Sequence, residues 1–232
     1  MNNIYIDNKY WHENSDYHER DAKYKAINSL SLLSKINLTK NSKILDLGCG
    51  SGKYLYVLSN YMDGNFYGVD ISSKSIERAN KLFKKENLKF ENKNLDQLKN
   101  AKFDLIILND VFEHVEDYIK FLKEIKLRSK YFYFNIPLEI NFMSIIRGNF
   151  TKSYNDVGHL HYFTKDSALQ ILKHANYVIL DWKYFFYSKH ELKKHKTIKL
   201  FIMYLIISLF KLINKDFTVK IFGSASLGVI CE

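Results

Sequence analysis

A glycine-rich segment at residues 46–52 carries the clearest chemical signal in the sequence. It reads Asp-Leu-Gly-Cys-Gly-Ser-Gly and lies between an apolar run and a helix-like pattern. Glycines spaced two apart allow a tight turn and let the backbone approach a ligand closely, because no Cβ intervenes. Asp70 ends the next apolar run, 18 residues after Gly52. A carboxylate at that place can accept hydrogen bonds from both hydroxyls of a ribose, so these residues predict a ribose-binding turn.

Two phosphate-binding interpretations of this turn fail on spacing. A P-loop requires Gly-Lys followed by Ser or Thr, and here Lys53 is followed by Tyr54. A dinucleotide site requires G-x-G-x-x-G, and here the third glycine comes one residue early. Asp46 would also repel a pyrophosphate and attract an ammonium group. The pattern therefore favours a ligand with a ribose and a cation but no phosphate, and it disfavours a nicotinamide dehydrogenase.

Alternating strand-like and helix-like patterns surround these residues. Apolar runs predict strands at residues 44–47, 66–70, 88–91, 103–108, 131–136, 177–186 and 227–231. Apolar residues at helical intervals predict helices between them, including one at 16–36 and one at 165–174 capped by Thr164. This alternation is typical of βαβ units. The sequence predicts an α/β fold, Rossmann-like and doubly wound, with a mostly parallel seven-stranded sheet and helices on both faces.

No repeat, linker or low-complexity tract divides the chain, so we expect a single domain over residues 1–232. Residues 1–42 are expected to form an N-terminal helical cover. Residues 138–163 lack clear periodicity and are interpreted as an insertion on the ligand side of the sheet. Residues 188–216 predict an apolar, basic helix.

The net charge of +10 is concentrated near the C-terminus. Eight lysines lie from Lys189 to Lys220 against two acids, whereas residues 104–117 hold five acids and no Lys or Arg. Nucleic-acid binding is disfavoured, because it needs basic residues spread along one face. The apolar stretch at 200–210 is shorter than the about 20 residues of a membrane span. It predicts a buried helix, with a helix lying on a membrane surface as the alternative.

The cysteine content and the N-terminal residues bear on the compartment. Cys49 and Cys231 are too few for a disulfide scaffold or a structural zinc site. The first residues show no basic region followed by an apolar one, which a secretory signal would need. We therefore expect a cytoplasmic protein, peripheral to a membrane if the apolar helix is exposed.

Taken together, the motifs resemble class I S-adenosylmethionine-dependent methyltransferases of the small-molecule branch, which includes the ubiquinone-pathway enzymes and methyltransferase types 11 and 23. Residues 44–52 resemble the first cofactor motif, 68–72 the acidic motif and 94–96 the loop that brackets adenine. Residues 103–115 resemble the motif after strand four. Residues 159–164 resemble the histidine and phenylalanine-threonine pattern at the start of the helix before strand six. The insertion at 138–163 would then lie on the acceptor side.

The resemblance implies that S-adenosylmethionine is the cofactor and S-adenosylhomocysteine its product. It assigns to the cofactor Asp46, Gly48, Gly50, Gly52, Asp70, Ile71, Leu95, Asp96 and Asn109. Asp70 would hold the ribose hydroxyls, Ile71 would pack on adenine, and Asp96 would reach the adenine amino group. A helix cap is the alternative role for Asp70 and Asp96.

Methyl transfer to a weakly acidic hydroxyl needs a base or a metal, and His114 and His159 are the candidate catalytic bases. Methyltransferases that act on amino groups of nucleic acids carry an Asn/Asp-Pro-Pro-aromatic motif after strand four. This chain reads Asn-Asp-Val-Phe at residues 109–112. The departure disfavours methylation of DNA bases.

A metal is a further implication of the resemblance. Ubiquinone-pathway O-methyltransferases and small-RNA 2′-O-methyltransferases carry Glu-x-x-Glu-His and a distant His, which in some members hold a divalent metal. This chain has Asp110, Glu113, His114 and His159, with Asp in place of the first Glu. Such a set would suit Mg²⁺, Mn²⁺ or Zn²⁺, but relatives without a metal carry the Glu-His pair as well, so both interpretations stay open.

The expected function is methyl transfer to a small-molecule hydroxyl, on a metabolite or a precursor of a glycan or cell-surface polymer. A metal-assisted RNA 2′-O-methyltransferase is one alternative, and a non-catalytic cofactor-binding regulatory or assembly protein is another. Aromatic residues of the N-terminal cover and the insertion are candidates for an acceptor lid: Tyr10, Trp11, Tyr17, Phe142, Phe150 and Tyr154.

Overall fold

The computed structural model describes Glu19, residues 21–186 and residues 198–232. Its strands are β1 (Lys43–Leu47), β2 (Asn65–Asp70), β3 (Leu88–Asn92), β4 (Phe103–Asn109), β5 (Ser129–Pro137), β6 (Ile179–Phe186) and β7 (Ala225–Cys231). They form one sheet in the order β3-β2-β1-β4-β5-β7-β6. Strand β7 runs antiparallel to β5 and β6, and the other neighbours are parallel. The predicted seven-stranded, mostly parallel Rossmann-like sheet is confirmed.

Helices cover both faces of this sheet. They are α1 (Ala22–Leu33), α2 (Lys53–Leu58), α3 (Ser73–Leu82), α4 (Tyr118–Lys126), α5 (Phe142–Arg147), α6 (Asn149–Val157), α7 (Lys165–His174), α8 (Ile198–Ile213) and α9 (Lys215–Phe222). Successive strand residues point to opposite faces. Leu45 and Ile106 join the core under α4 and α7, whereas Ile44 and Leu105 join the core under α1, α2 and α3. This division explains why the central strands are apolar at nearly every position.

The insertion at 138–163 contains two helices that the sequence pattern did not predict. Asn141 caps α5 by accepting a hydrogen bond from the Ser144 amide. Gly148, with a φ of +62°, separates α5 from α6, and Gly158, with a φ of +72°, ends α6. Neither helix buries a side chain completely. Without a buried stripe there is no apolar periodicity to detect in the sequence.

Both chain ends correspond only in part to the predicted elements. The predicted helix at 16–36 corresponds to α1, and residues 1–18, with Tyr10, Trp11 and Tyr17, lie outside the described residues. The predicted helix at 188–216 is represented by α8, since residues 187–197 are also outside. Asn214 caps the separate helix α9, which was not predicted, by accepting from the Phe217 amide. Among the described residues, no helix has the length and apolar character needed to cross a membrane.

Candidate active site

A cleft of about 530 Å³ opens at the carboxyl ends of β1, β2 and β4, where the glycine-rich turn lies. The amides of Gly48 and Cys49 both donate to the Val69 carbonyl, at 2.9 and 3.0 Å. The Gly50 amide donates to Asp70 Oδ2 at 2.9 Å. Asp70 Oδ1 accepts from the Ser72 amide at 2.8 Å. A carboxylate offers about four lone pairs, so Asp70 braces the turn and keeps acceptor capacity toward the cleft.

The three glycines of the turn differ in what they approach, although all have positive φ, at +81°, +53° and +80°. A Cβ on Gly48 would lie 2.9 Å from Val111 Cγ2, whereas a Cβ on Gly50 would meet nothing within 4 Å. A Cβ on Gly52 would lie 2.5 Å from the Phe90 ring. Gly48 and Gly50 line the cleft and Gly52 does not. Gly52 allows α2 to begin close against β3, and its expected contact with the cofactor stays a prediction.

Of the three residues expected to contact adenine, two line the cleft and one does not. Ile71 and Leu95 line the cleft, as does Asn94, which the sequence did not single out as a ligand. The Asn94 side chain accepts from the Gln97 amide and so shapes this loop. Asp96 is exposed, starts a short 3-10 helix and lies outside the cleft lining. The expected contact between Asp96 and adenine stays a prediction.

Asp46 and Asn109 bring unpartnered polar atoms to the base of the cleft. Asp46 is 1% exposed, and its Oδ1 has no hydrogen-bond partner among the described residues. The same holds for both amide atoms of Asn109. Burial, with the nearby charge of Asp70, raises the pKa of Asp46 to about 8. Buried polar groups are normally paired, and an ammonium group beside Asp46 would supply the missing partner and favour the ionised carboxylate.

The two candidate bases lie together on the other side of the cleft. The rings of His114 and His159 meet edge to face with their centroids 4.8 Å apart. Nδ1 of His114 lies 3.1 Å from the Gly158 carbonyl oxygen, to which it can only donate. Burial, with the neighbouring His159, lowers the pKa of His114 to about 4. The loop after β4 thus supplies a neutral imidazole at ordinary pH.

His159 is oriented by a carboxylate that the sequence did not single out. Nδ1 of His159 lies 2.6 Å from Oε2 of Glu139, which follows β5. The other oxygen of Glu139 accepts from Ser153 Oγ of α6 at 2.8 Å. The Tyr162 hydroxyl donates to the His159 carbonyl oxygen at 3.1 Å. When Nδ1 donates to Glu139, Nε2 of the neutral ring is the acceptor.

Glu113, His114 and His159 form a group that could hold a metal ion, with ligand atoms within 4.8 Å of one another. Glu113 is fully buried, and neither of its oxygens has a hydrogen-bond partner in the described part of the chain. Burial raises the pKa of Glu113 well above its usual range, and the charge of Asp110 adds to this. Two imidazoles and a carboxylate fit a divalent transition metal. Glu139 would then orient a ligating histidine, as outer carboxylates commonly do.

Asp110, the fourth residue of the expected metal set, is engaged elsewhere. Lys25 Nζ of α1 donates to Asp110 Oδ2 at 2.5 Å, and Asn135 Nδ2 donates to Asp110 Oδ1 at 2.7 Å. Burial lowers the pKa of Lys25, but the charges of Asp110 and Asp21 more than offset this and raise it. The structure therefore brings together three of the four expected ligands and pairs Asp110 with the partly buried ammonium group of Lys25.

The turn, Asp70 and both histidines fall within residues 38–176, which match the sequence model of the methyltransferase domain family. The chain belongs to this family. Membership confirms the expected S-adenosylmethionine-dependent methyltransferase fold with S-adenosylmethionine as cofactor, and the place of that cofactor in the cleft stays a prediction.

Individual relatives show how far the similarity extends. The chain is 37% identical over 111 residues to the ubiquinone biosynthesis O-methyltransferase of Pelagibacter ubique, an alignment covering 45% of each chain. Its fold resembles that of the methyltransferase in complex with the Trm112 activator from Haloferax volcanii (TM-score 0.66, 13% identity, 96% of this chain and 92% of that one). It also resembles an S-adenosylmethionine-dependent methyltransferase from Mesorhizobium loti (TM-score 0.59, 17% identity, 87% and 95%). The match spans less than half of the Pelagibacter relative, and these structural likenesses concern the fold alone.

Sequence patterns did not single out three polar residues that line the cleft. Lys25, Asn135 and Glu139 all contact a candidate site residue. Lys25 lies on a helix far from the motifs, so no local signal marks it. Glu139 follows Pro137 at the carboxyl end of β5, and its position at that edge of a parallel sheet is the one signal that could have found it.

Proposed function

We propose that the methyltransferase transfers the methyl group of S-adenosylmethionine to a hydroxyl of a small-molecule acceptor, with His159 as general base. The observation that carries the proposal is the 2.6 Å contact between Glu139 and Nδ1 of His159 in the cofactor cleft. The 37% identity with a ubiquinone biosynthesis O-methyltransferase supports a hydroxyl acceptor.

When bound, the cofactor would supply an electrophilic methyl group for in-line displacement at its carbon, with the C–S bond broken and S-adenosylhomocysteine as the leaving group. The chain must align the acceptor and remove its proton. In the proposal, Nε2 of His159 accepts the hydroxyl proton, and Glu139 stabilises the imidazolium through Nδ1. His114 stays neutral at ordinary pH because of its low pKa, so no second positive charge opposes protonation of His159.

The charges of the cleft support a small acceptor over RNA. Its lining contains five acids, Asp21, Asp46, Asp70, Asp110 and Glu139, against three lysines, Lys25, Lys53 and Lys93. A polyanion would bind poorly to such a surface. Cys49 and Cys231 are free and buried, which suits the reducing cytoplasm that we propose as the compartment.

A metal-assisted reaction is a second candidate, favoured by the two unpartnered oxygens of Glu113. Glu113, His114 and His159 would hold the ion, and a divalent metal supplies polarisation of the acceptor oxygen. In that case Nε2 of His159 would be a ligand and not a base. The two candidates therefore make opposite predictions about chelation.

The proposed function is tested with methyl-labelled S-adenosylmethionine and a cell extract separated into small-molecule and RNA fractions. We expect label in hydroxylated small molecules and formation of S-adenosylhomocysteine. The His159→Ala variant should transfer no label while binding S-adenosylhomocysteine as the wild type does, in titration calorimetry. Label in the RNA fraction, or cofactor binding without transfer to any fraction, would contradict the proposal and favour the RNA-directed or the non-catalytic alternative.

A further inference from the structure

Helix α8 is apolar on two opposite faces, and only one of them is covered by the rest of the described chain. On the inner face, Ile207 is buried, and the Phe210 ring lies 5.4 Å from that of Phe222 in α9. On the outer face, Leu209 and Leu212 are 62% and 85% exposed. A helix that is apolar all round is normally buried, so the outer face of α8 lacks a covering partner in the described structure.

Two neighbouring helices, α9 and α5, also carry exposed apolar side chains. Helix α9 packs against α8 on one side and against α5 of the insertion on the other. Phe217 of α9 and Ile145 and Ile146 of α5 are largely exposed. We define the docking face as Ile145, Ile146, Leu209, Leu212, Ile213 and Phe217. Large exposed apolar patches on a soluble domain mark contact sites with a partner or a membrane.

The charged residues on these helices favour an anionic partner. Arg147, Lys215 and Lys220 are exposed. The acid of α9, Asp216, accepts hydrogen bonds from Lys165, at 3.1 Å, and from Tyr184, so its charge is already matched within the protein. The sequence between β6 and α8 adds four lysines, at positions 189, 193, 194 and 196, against one acid.

We propose that the docking face binds the surface of a bilayer that contains anionic phospholipid. Exposed Leu, Ile and Phe side chains next to Lys and Arg are the composition of a helix that lies in the membrane interface. A second copy of the chain, paired about a two-fold axis, would bring the same cations face to face, which disfavours self-association. This binding is independent of the proposed reaction.

The docking face and the cleft share the insertion. Residues 138–163 carry α5 of the docking face and also Glu139 and His159 of the cleft. A bilayer bound at α5 therefore lies next to the segment that forms the acceptor side.

The test is co-sedimentation with vesicles of phosphatidylcholine, with and without phosphatidylglycerol. We expect the wild type to bind the vesicles that contain phosphatidylglycerol and to be released by salt. The pair Leu212→Ser and Ile213→Ser should lower the affinity at least about tenfold, since burial of exposed aliphatic side chains drives insertion. Lys215→Gln should lower it about fivefold.

The matched control is Leu127→Ser, because Leu127 is 73% exposed at the end of α4, outside the docking face. It should bind vesicles as the wild type does, and every variant should bind S-adenosylhomocysteine normally, which shows that it is folded. Failure of the wild type to bind these vesicles overturns the proposal, as does unchanged binding by the Leu212 and Ile213 variant. A dimer or a protein complex that this variant alone dissociates would assign the face to another partner and equally overturn it.

Discussion

Glu139 and His159 form the shortest contact between a carboxylate and an imidazole in the described residues, with Oε2 and Nδ1 at 2.6 Å. Glu139 lies just after β5, and His159 lies just after α6. The two ends of the insertion must therefore pack together to form the pair. Ser153 fixes the second oxygen of Glu139. Because Nδ1 of neutral His159 donates to Glu139, Nε2 is the ring nitrogen that can accept a proton.

Glu139→Gln should lower kcat by about tenfold or more and leave the Kd for S-adenosylhomocysteine unchanged. An amide can still accept from Nδ1, so the ring stays in place, but it cannot balance the charge of the imidazolium. The measurement is turnover of the best acceptor fraction, combined with calorimetry of cofactor binding.

Ser153→Ala is the matched control for this variant, since it removes one hydrogen bond to Glu139 and keeps the carboxylate charge. We expect a loss of less than about fivefold in kcat. Equal losses in both variants, or a loss of cofactor affinity in Glu139→Gln, would mean that Glu139 supports the fold and not the base.

Asp70→Ala should weaken S-adenosylhomocysteine binding by at least about tenfold, because charge-assisted hydrogen bonds to the ribose are lost. Asp96→Ala is the control, since Asp96 is an exposed acid outside the cleft lining and should have little effect. Calorimetry measures both. A large loss of affinity in Asp96→Ala would support the contact with adenine that the sequence predicts. Unchanged affinity in Asp70→Ala would contradict the assignment of Asp70 to the ribose.

The affinity for S-adenosylhomocysteine should rise with pH until about pH 8. The pKa of Asp46 is about 8 in the free protein, and the ligand's ammonium group requires the ionised form, so binding must first release a proton. Below that pH the affinity should change by about tenfold per pH unit. Asp46→Asn should bind more weakly and lose this pH dependence, whereas persistence of the slope in the variant would point to another group.

Chelation should leave turnover unchanged, because in the proposed reaction Nε2 of His159 accepts the hydroxyl proton and is not a metal ligand; Asp110, the fourth residue of the expected metal set, is held by Lys25 and Asn135. The measurement compares turnover before and after treatment with a chelator, together with calorimetric titration of Mn²⁺ and Zn²⁺ alone. Glu113→Gln is the control for any ion bound. Loss of turnover that Mn²⁺ or Zn²⁺ restores would replace the base mechanism by the metal-assisted candidate.

The sheet could be predicted from the sequence because parallel strands covered on both faces are continuous apolar runs. Each predicted strand overlaps one in the structure, and the helix at 165–174 has its predicted cap at Thr164. The turn and the position of Asp70 beside it could be predicted because they depend on local backbone geometry; the ribose contact of Asp70 stays a prediction. These features are encoded within a few residues of one another.

Pairs between distant residues could not be predicted in this way. Lys25 contacts Asp110 across 85 residues, and Glu139 contacts His159 across 20 residues of insertion without periodicity. Which side chains form these pairs depends on how α1 and the insertion pack against the sheet. Local patterns carry no information about that docking.

Gly52 belongs to the glycine-rich motif, and its surroundings give it a packing role. Its positive φ and the Phe90 ring, 2.5 Å from the place of a Cβ, both oppose a side chain. Gly52→Ala should therefore lower the free energy of unfolding by about 2–4 kcal/mol, the sum of the backbone cost and of overpacking. Urea unfolding measures this loss.

Gly50→Ala is the matched substitution in the same turn. A Cβ there meets nothing within 4 Å and points into the open cleft, so the cost in unfolding free energy should be only about 1–2 kcal/mol, from the backbone alone. Because Gly50 lines the cleft proposed for the cofactor, Gly50→Ala should lower the affinity for S-adenosylhomocysteine more than Gly52→Ala does. The reverse order of affinities would mean that Gly52, and not Gly50, faces the cofactor.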